Sequence, residues 1–263
     1  MKVSIAVLAR NEEKMMPGLL ACTKWADEVV VGIDTTSNDS SYEMAMSSGA
    51  KVLQIGTESG FARAKNELIS KCSNDWVFVL DADERVTGAL ANIVLELPPD
   101  DAHAYELVWQ SYYYGHKMQY TDTKEVHTRL FRKSYFKYVG EIHEELVATG
   151  PVVIKHLNST VAHFSHRSVM DNLPKTMLYA DIQARQMLAS NHPAMGGRSL
   201  AWVAVREFYK VAIRERIYRD GPAGVVEMLY RPFSWFVVYA RLWELQQSPS
   251  IDQQYSDWEK SLT

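Results

Sequence analysis

The chain has 263 residues, 47% hydrophobic and 23% charged, with a formal net charge of −4. That profile suits one large α/β domain, or a domain with an appendage, and argues against a generic nucleic-acid binder, whose surface would be basic. No apolar run approaches the ~20 residues of a membrane-spanning helix, and Cys22 and Cys72 lack metal-site spacing, so they read as reduced, packed thiols of a cytosolic protein.

Residues 3–8 are a short apolar run. They read as a first strand, since a signal peptide needs a longer apolar core and a cleavage site. The loop Ala9-Arg10-Asn11-Glu12-Glu13 follows, with Asn11 as an expected N-cap of a helix over residues 15–25. Residues 28–33 predict a second buried strand, which runs into the polar turn Asp34-Thr35-Thr36-Ser37-Asn38-Asp39. A helix over 42–48, a strand over 51–55 and a helix over 61–71 come next. Residues 76–80 are the fourth apolar run. Rich in Val and aromatics, it reads as a strand buried on both faces.

Asp81-Ala82-Asp83-Glu84-Arg85 lies just past that strand's carboxyl end, the edge where open α/β sheets bind ligands. Asp81 and Asp83, two apart around a small residue, suit a hard cation such as Mg²⁺ or Mn²⁺ shared with phosphates. A solvated turn is the other reading. Four alternations of strand and helix in about 85 residues predict a parallel, Rossmann-like sheet with right-handed crossovers. The first loop contains no glycine, which excludes a dinucleotide fingerprint, and a P-loop is absent.

The middle predicts a helix over 86–97, strands over 104–109 and 128–132, and short strands over 152–154 and 160–164. Tyr112, Tyr113 and Tyr114 would stack on a sugar or pack in a core. From about Ser168 the chain reads as helical. Two apolar, aromatic-rich helices are expected at 199–218 and beyond Gly221-Pro222, the second with Pro232 inside. Residues 185–231 hold 8 Lys plus Arg against 4 Asp plus Glu. Such helices suit an anionic membrane surface, or else a subdomain core or an oligomer interface.

The ordered set Ala9-Arg10-Asn11-Glu12-Glu13, Asp34 to Asp39, Ala64-Lys65-Asn66-Glu67, Asp81 to Arg85, Arg129-Leu130-Phe131, Gly140-Glu141-Ile142-His143-Glu144 and His163-Phe164-Ser165-His166-Arg167-Ser168 resembles the family 2 glycosyltransferases. The nearest branch is similar to the lipopolysaccharide-core β-1,4-glucosyltransferases. The resemblance implies a GT-A fold, a mixed and mostly parallel sheet with flanking helices, over residues 1–168, and a helical C-terminal subdomain over 169–263. It implies inverting, metal-dependent hexosyl transfer from a nucleoside diphosphate sugar, a UDP-sugar first, to a glycan or glycolipid acceptor of the cell envelope.

The same resemblance implies roles residue by residue. Ala9 and Glu12 would line the nucleoside pocket, and Asp34 would meet the base. Asp39 would shape its loop. Lys65 and Arg63 would face the diphosphate. Asp81 would contact the ribose or a metal-bound water, Asp83 would bind Mn²⁺ or Mg²⁺, and His163 would be a further metal ligand or a satisfied strand-end residue. Glu144, then Glu141, would supply the base that takes the acceptor proton. The expected place is the cytoplasm, with the inner membrane face as one contact of the tail. A sugar-phosphate nucleotidyltransferase would need a Gly-rich, Arg-containing first loop, absent here. A catalytically inactive sugar-nucleotide-binding or membrane-scaffold protein on the same fold is the competing reading.

Overall fold

The computed structural model describes residues 1–121, 126–140 and 144–262. The chain divides into two compact units, one of Met1–Ser111 with Lys124–Ser165, the other of Tyr112–Thr123 with His166–Thr263.

The first unit opens with β1 (Val3–Ala9), α1 (Met16–Cys22), β2 (Glu28–Asp34), α2 (Ser41–Ser47), β3 (Lys51–Ile55), α3 (Phe61–Ser70) and β4 (Trp76–Asp81). It continues through β5 (Glu84–Val86), α4 (Gly88–Glu96), β6 (Ala104–Tyr113), β7 (His116–Lys117), β8 (Val126–Arg132), β9 (Phe136–Val139), β10 (Glu145–Ala148) and β11 (Ile154–His166), with β7 and the ends of β6 and β11 belonging to the second unit. The main sheet runs β3-β2-β1-β4-β8-β6-β11-β5. Its first four strands are parallel, with Leu8 beside Asp81 and Ala9 beside Ile33. β8 joins β4 antiparallel.

This is the mixed, mostly parallel α/β sheet expected of the sequence. The reason is the expected one: β1, β2 and β4 are buried along almost their whole length, so both faces must be covered by helices. One face packs Ile5, Val7, Phe78 and Leu80 with Leu19 and Leu90; the other packs Ala6, Val77 and Val79 with Leu68 and Ile69.

Several boundaries differ from expectation. The helix expected from residue 86 starts at Gly88, because Glu84–Val86 pairs with β11. The two short strands expected at 152–154 and 160–164 are one 13-residue strand, Ile154–His166. Asn11 is not an N-cap. It sits at φ +54°, and α1 begins only at Met16.

The second unit holds α5 (Val169–Ala189), α6 (Gly197–Tyr209), a π-helical turn (Lys210–Arg214), a 3-10 turn (Ile217–Asp220), α7 (Gly221–Leu245) and α8 (Ile251–Leu262). The Ser168 hydroxyl caps α5 by accepting from Asp171 N. The helix expected over 199–218 breaks into three pieces. Arg216 adopts φ +58° and Gly221 φ +70°, and Pro222 falls in the first turn of α7, where a missing N–H costs nothing.

Candidate active site

The carboxyl ends of β1, β2 and β4 lie side by side, and side-chain hydrogen bonds lock their loops together. Asn11 Oδ1 accepts from Asn38 N at 2.9 Å, and Asn11 N donates to Ser37 Oγ at 3.2 Å. Glu13 N donates to Asp39 Oδ2, and Ser41 N to Asp39 Oδ1. Asp39 thus shapes both loops. Arg85 donates to the Ala82 and Glu84 carbonyls and to Met15 O, which ties the acidic turn to the entry of α1.

At the centre is Lys65, buried on α3 with 6% exposure. Its Nζ donates to Glu144 Oε1 at 2.8 Å, stands 3.5 Å from Asp81 Oδ1 and lies 5.3 Å from the Tyr138 ring centroid. The next residue explains how Glu144, far along the chain, gets there. Asn66 clamps β9 with two bonds, Nδ2 to Tyr138 O at 2.8 Å and Tyr138 N to Oδ1 at 2.9 Å. β10 pairs with β9, so Glu144, the residue before β10, is delivered to Lys65.

Arg129 comes from β8, one residue beyond the Phe78–Leu130 pair. It donates to Asp81 Oδ2 at 2.9 Å and packs over Trp109. Lys65, Arg129, Tyr138 and Glu144 line one cavity of about 460 Å³ with His127, Glu145 and Leu146.

The electrostatics follow from this packing. Burial alone would raise the Asp81 pKa, but the Arg129 and Lys65 cations hold it well below the ordinary carboxylate range. Burial, then the Asp81 charge, pushes Glu84 up. Glu84 is 1% exposed, accepts from Asp81 N at 2.9 Å and from Trp109 Nε1, and so closes the turn from beneath. Burial works against the Lys65 charge, yet Asp81 and Glu144 keep its pKa above the ordinary value.

Asp83 faces a different partner. The register sets His163 opposite Glu84, and Phe164 N donates to Asp83 O at 2.9 Å. His163 Nε2 therefore lies 3.5 Å from Asp83 Oδ2. Burial lowers the His163 pKa, but Asp83, with the Glu84 and Asp81 charges, more than offsets this and holds it above the ordinary imidazole value.

The structure brings Lys65, Asp81 and Glu144 together, and separately Asp83 and His163. Asp81 faces two cations, Lys65 and Arg129. Among the described residues no three His, Cys, Asp or Glu side chains are grouped to hold a cation. Asp83 still fits the chemistry, since Mg²⁺ commonly takes one or two carboxylates and fills the rest with phosphate and water, while the His163 imidazole beside it is the poorer ligand for so hard a cation.

Asp34 is 2% exposed and its carboxylate is used internally. Thr36 N, Thr36 Oγ1 and Thr57 Oγ1 all donate to it. Burial would raise its pKa, and these hydroxyl and amide donors bring it below the ordinary value. Ala9 is buried in the core under the first loop. Glu12 N donates to Ser41 Oγ at 2.9 Å. Arg63 is exposed and stays outside the Lys65 cluster. Glu141 lies outside the described residues. Arg129, Glu84 and Tyr138 carry the site without having been assigned a part in it from the sequence. Arg129 and Glu84 stood in two of the segments that carry the family resemblance, Arg129-Leu130-Phe131 and Asp81 to Arg85, but no role was attached to either, and nothing in the sequence pointed to Tyr138.

The chain belongs to the family described as "Glycosyl transferase family 2", whose profile matches residues 4–151, and it is a glycosyltransferase. A Rickettsia typhi protein named "Uncharacterized glycosyltransferase RT0209" is 26% identical over 257 residues, 93% of this chain and 87% of that protein. The "Lipopolysaccharide core biosynthesis glycosyltransferase LpsC" of Rhizobium meliloti is 23% identical over 266 residues, 97% of each. Among solved structures, S. aureus TarS 1-349 aligns with a TM-score of 0.47 at 13% identity, covering 92% of this chain and 82% of that one.

Proposed function

We propose that the chain transfers a hexosyl group, with inversion, from a nucleoside diphosphate sugar to a glycan or glycolipid acceptor of the cell envelope. The observation that carries the reading is Lys65, a buried ammonium bridging Asp81 and Glu144 in the cavity at the carboxyl edge of the sheet. Cleaving the bond from the sugar to the diphosphate leaves extra negative charge. A preorganised, water-poor cation meets that charge without having to reorganise.

Lys65 would leave Glu144 for the diphosphate when the donor enters. The carboxylate thereby released would take the acceptor hydroxyl proton, as the base of an inverting transfer must. Asp81 would stay anchored by Arg129 and present its remaining lone pairs to the ribose. Asp83 and His163 would hold a Mn²⁺ or Mg²⁺ ion. When bound, such an ion neutralises charge on the leaving diphosphate. The first loop, pinned to the second, would frame the nucleoside through Glu12 and the backbone, while Asp34 holds the second loop in shape from inside.

The cell-envelope acceptor is supported by the name of the Rhizobium meliloti relative, similar along nearly the whole chain. It goes with a cytoplasmic location at the inner membrane face. No helix among the described residues is long and apolar enough to cross a membrane. The deciding experiment is a thermal-shift panel of UDP, GDP, CDP and TDP with and without Mn²⁺. A ligand binding only the native state raises its apparent stability. One nucleotide, UDP first, should shift the melting temperature only with the metal present. No shift with any of them would overturn the donor site.

A further inference from the structure

The second unit carries an apolar surface that contains none of the residues assigned to the transfer reaction. In α6 and the π-helical turn after it, Val205 and Tyr209 are 60% exposed and Ile213 is 56% exposed. Phe208 on α6, and Phe233 and Phe236 on α7, stand more than 40% exposed. These six side chains, with Ala204 and Pro232, line an open apolar groove of about 590 Å³. Large apolar groups exposed together mark a docking surface rather than ordinary scatter.

The charges along the same stretch are sorted. From Gly197 to Ala240 there are four acids, Glu207, Glu215, Asp220 and Glu227. All four turn inward. Glu207, Asp220 and Glu227 are buried, and the Glu215 side chain is 2% exposed against Arg231. Glu227 is held by Arg231 and His166, and Asp220 accepts from Gln119 N and Tyr120 N. Arg198, Arg206, Arg214, Arg216 and Arg219 are exposed. The outer charge of this stretch is therefore positive on a chain whose net charge is −4.

We infer that the α6–α7 face docks on an anionic lipid bilayer. The aromatic and aliphatic side chains enter the headgroup boundary, and the arginines pair with lipid phosphates. A second copy of this chain fits worse. A symmetric interface would set the arginine-rich face against itself, and facing like charges cost several kcal/mol. This inference deepens the proposed glycolipid acceptor and rests on that reading for its purpose. Its test uses neither donor nor acceptor, so each can fail alone.

The full chain is mixed with vesicles of phosphatidylglycerol and phosphatidylcholine, or of phosphatidylcholine alone, and floated at low and high salt. Binding should require the anionic lipid and weaken with salt. Each arginine near such a surface is worth about fivefold in partitioning. Arg214→Glu with Arg216→Glu, both on the exposed side, should therefore weaken binding by at least about 25-fold. Phe208→Asp with Phe236→Asp should abolish it. Circular dichroism and cooperative urea unfolding, read on the same samples, show that each variant is folded. Absence of wild-type binding, or equal binding by both variants, would overturn the inference. So would a stable dimer in light scattering that the Phe→Asp pair dissociates, which would give the face to a second copy.

Discussion

Replacing Lys65 with Met keeps the aliphatic stem and deletes the charge at the centre of the site. The ammonium makes one close bond, 2.8 Å to Glu144, and one longer contact, 3.5 Å to Asp81. A hydrogen bond to a charged group contributes about 1.5–3 kcal/mol. Asp81 keeps Arg129 at 2.9 Å, and its side chain is 38% exposed, so water and the arginine absorb part of the loss. Lys65→Met should therefore cost about 1–2 kcal/mol of stability in urea denaturation. Adding Glu144→Gln should recover part of it, because the stranded carboxylate is then gone. Diphosphate affinity should fall further, by about 10–150-fold, the equivalent of 1.5–3 kcal/mol. Calorimetric titration of UDP into wild type and variant reads this directly. A variant that loses stability but binds the nucleoside diphosphate at full strength would refute the part given to Lys65.

Glu144→Gln alone should lower the transfer rate by about 10²–10⁴-fold while nucleotide affinity stays the same or rises, since Lys65 no longer has a competing carboxylate; initial rates and titrations on one preparation separate the two. Asp34 has a depressed pKa, so its contribution to stability is complete above its unfolded value of about 3.9 and is lost as pH falls through the lower folded value. Asp34→Asn should accordingly cost most at neutral pH, and its deficit against wild type should shrink below about pH 4 in urea midpoints taken across the acid range. A Cβ on Gly224 would overlap the Ile217 carbonyl, and backbone cannot step aside cheaply, so Gly224→Ala should lose about 1–3 kcal/mol or more and lower the urea midpoint.

The parallel half of the sheet was legible because its signal is local. Strands buried on both faces need unbroken apolar runs, and those at 28–33, 51–55 and 76–80 each fall within a residue of the observed strands. The acidic turn after β4 was legible for the same reason. What the sequence could not give was pairing. Glu84 looked like one more acid in a cluster, yet β11 draws it into the sheet and buries it. Arg129 belonged to a motif of the family resemblance with no role attached, and only the β4–β8 pairing sets it against Asp81. The Asn66–Tyr138 clamp that brings Glu144 to Lys65 joins residues 72 apart, and no periodicity encodes that contact. In the tail, the helical pattern at 199–218 was real, but the backbone turn at Arg216 left no mark in hydrophobic spacing.

The proposed activity is metal-dependent turnover of a nucleotide sugar at the edge that bears Asp83. Release of nucleoside diphosphate from a panel of UDP- and GDP-sugars, with and without Mn²⁺, for wild type and Asp83→Ala, tests it most directly. Release by the wild type should require the cation and be lost in Asp83→Ala. Release that proceeds equally without metal, or unchanged in Asp83→Ala, would contradict it.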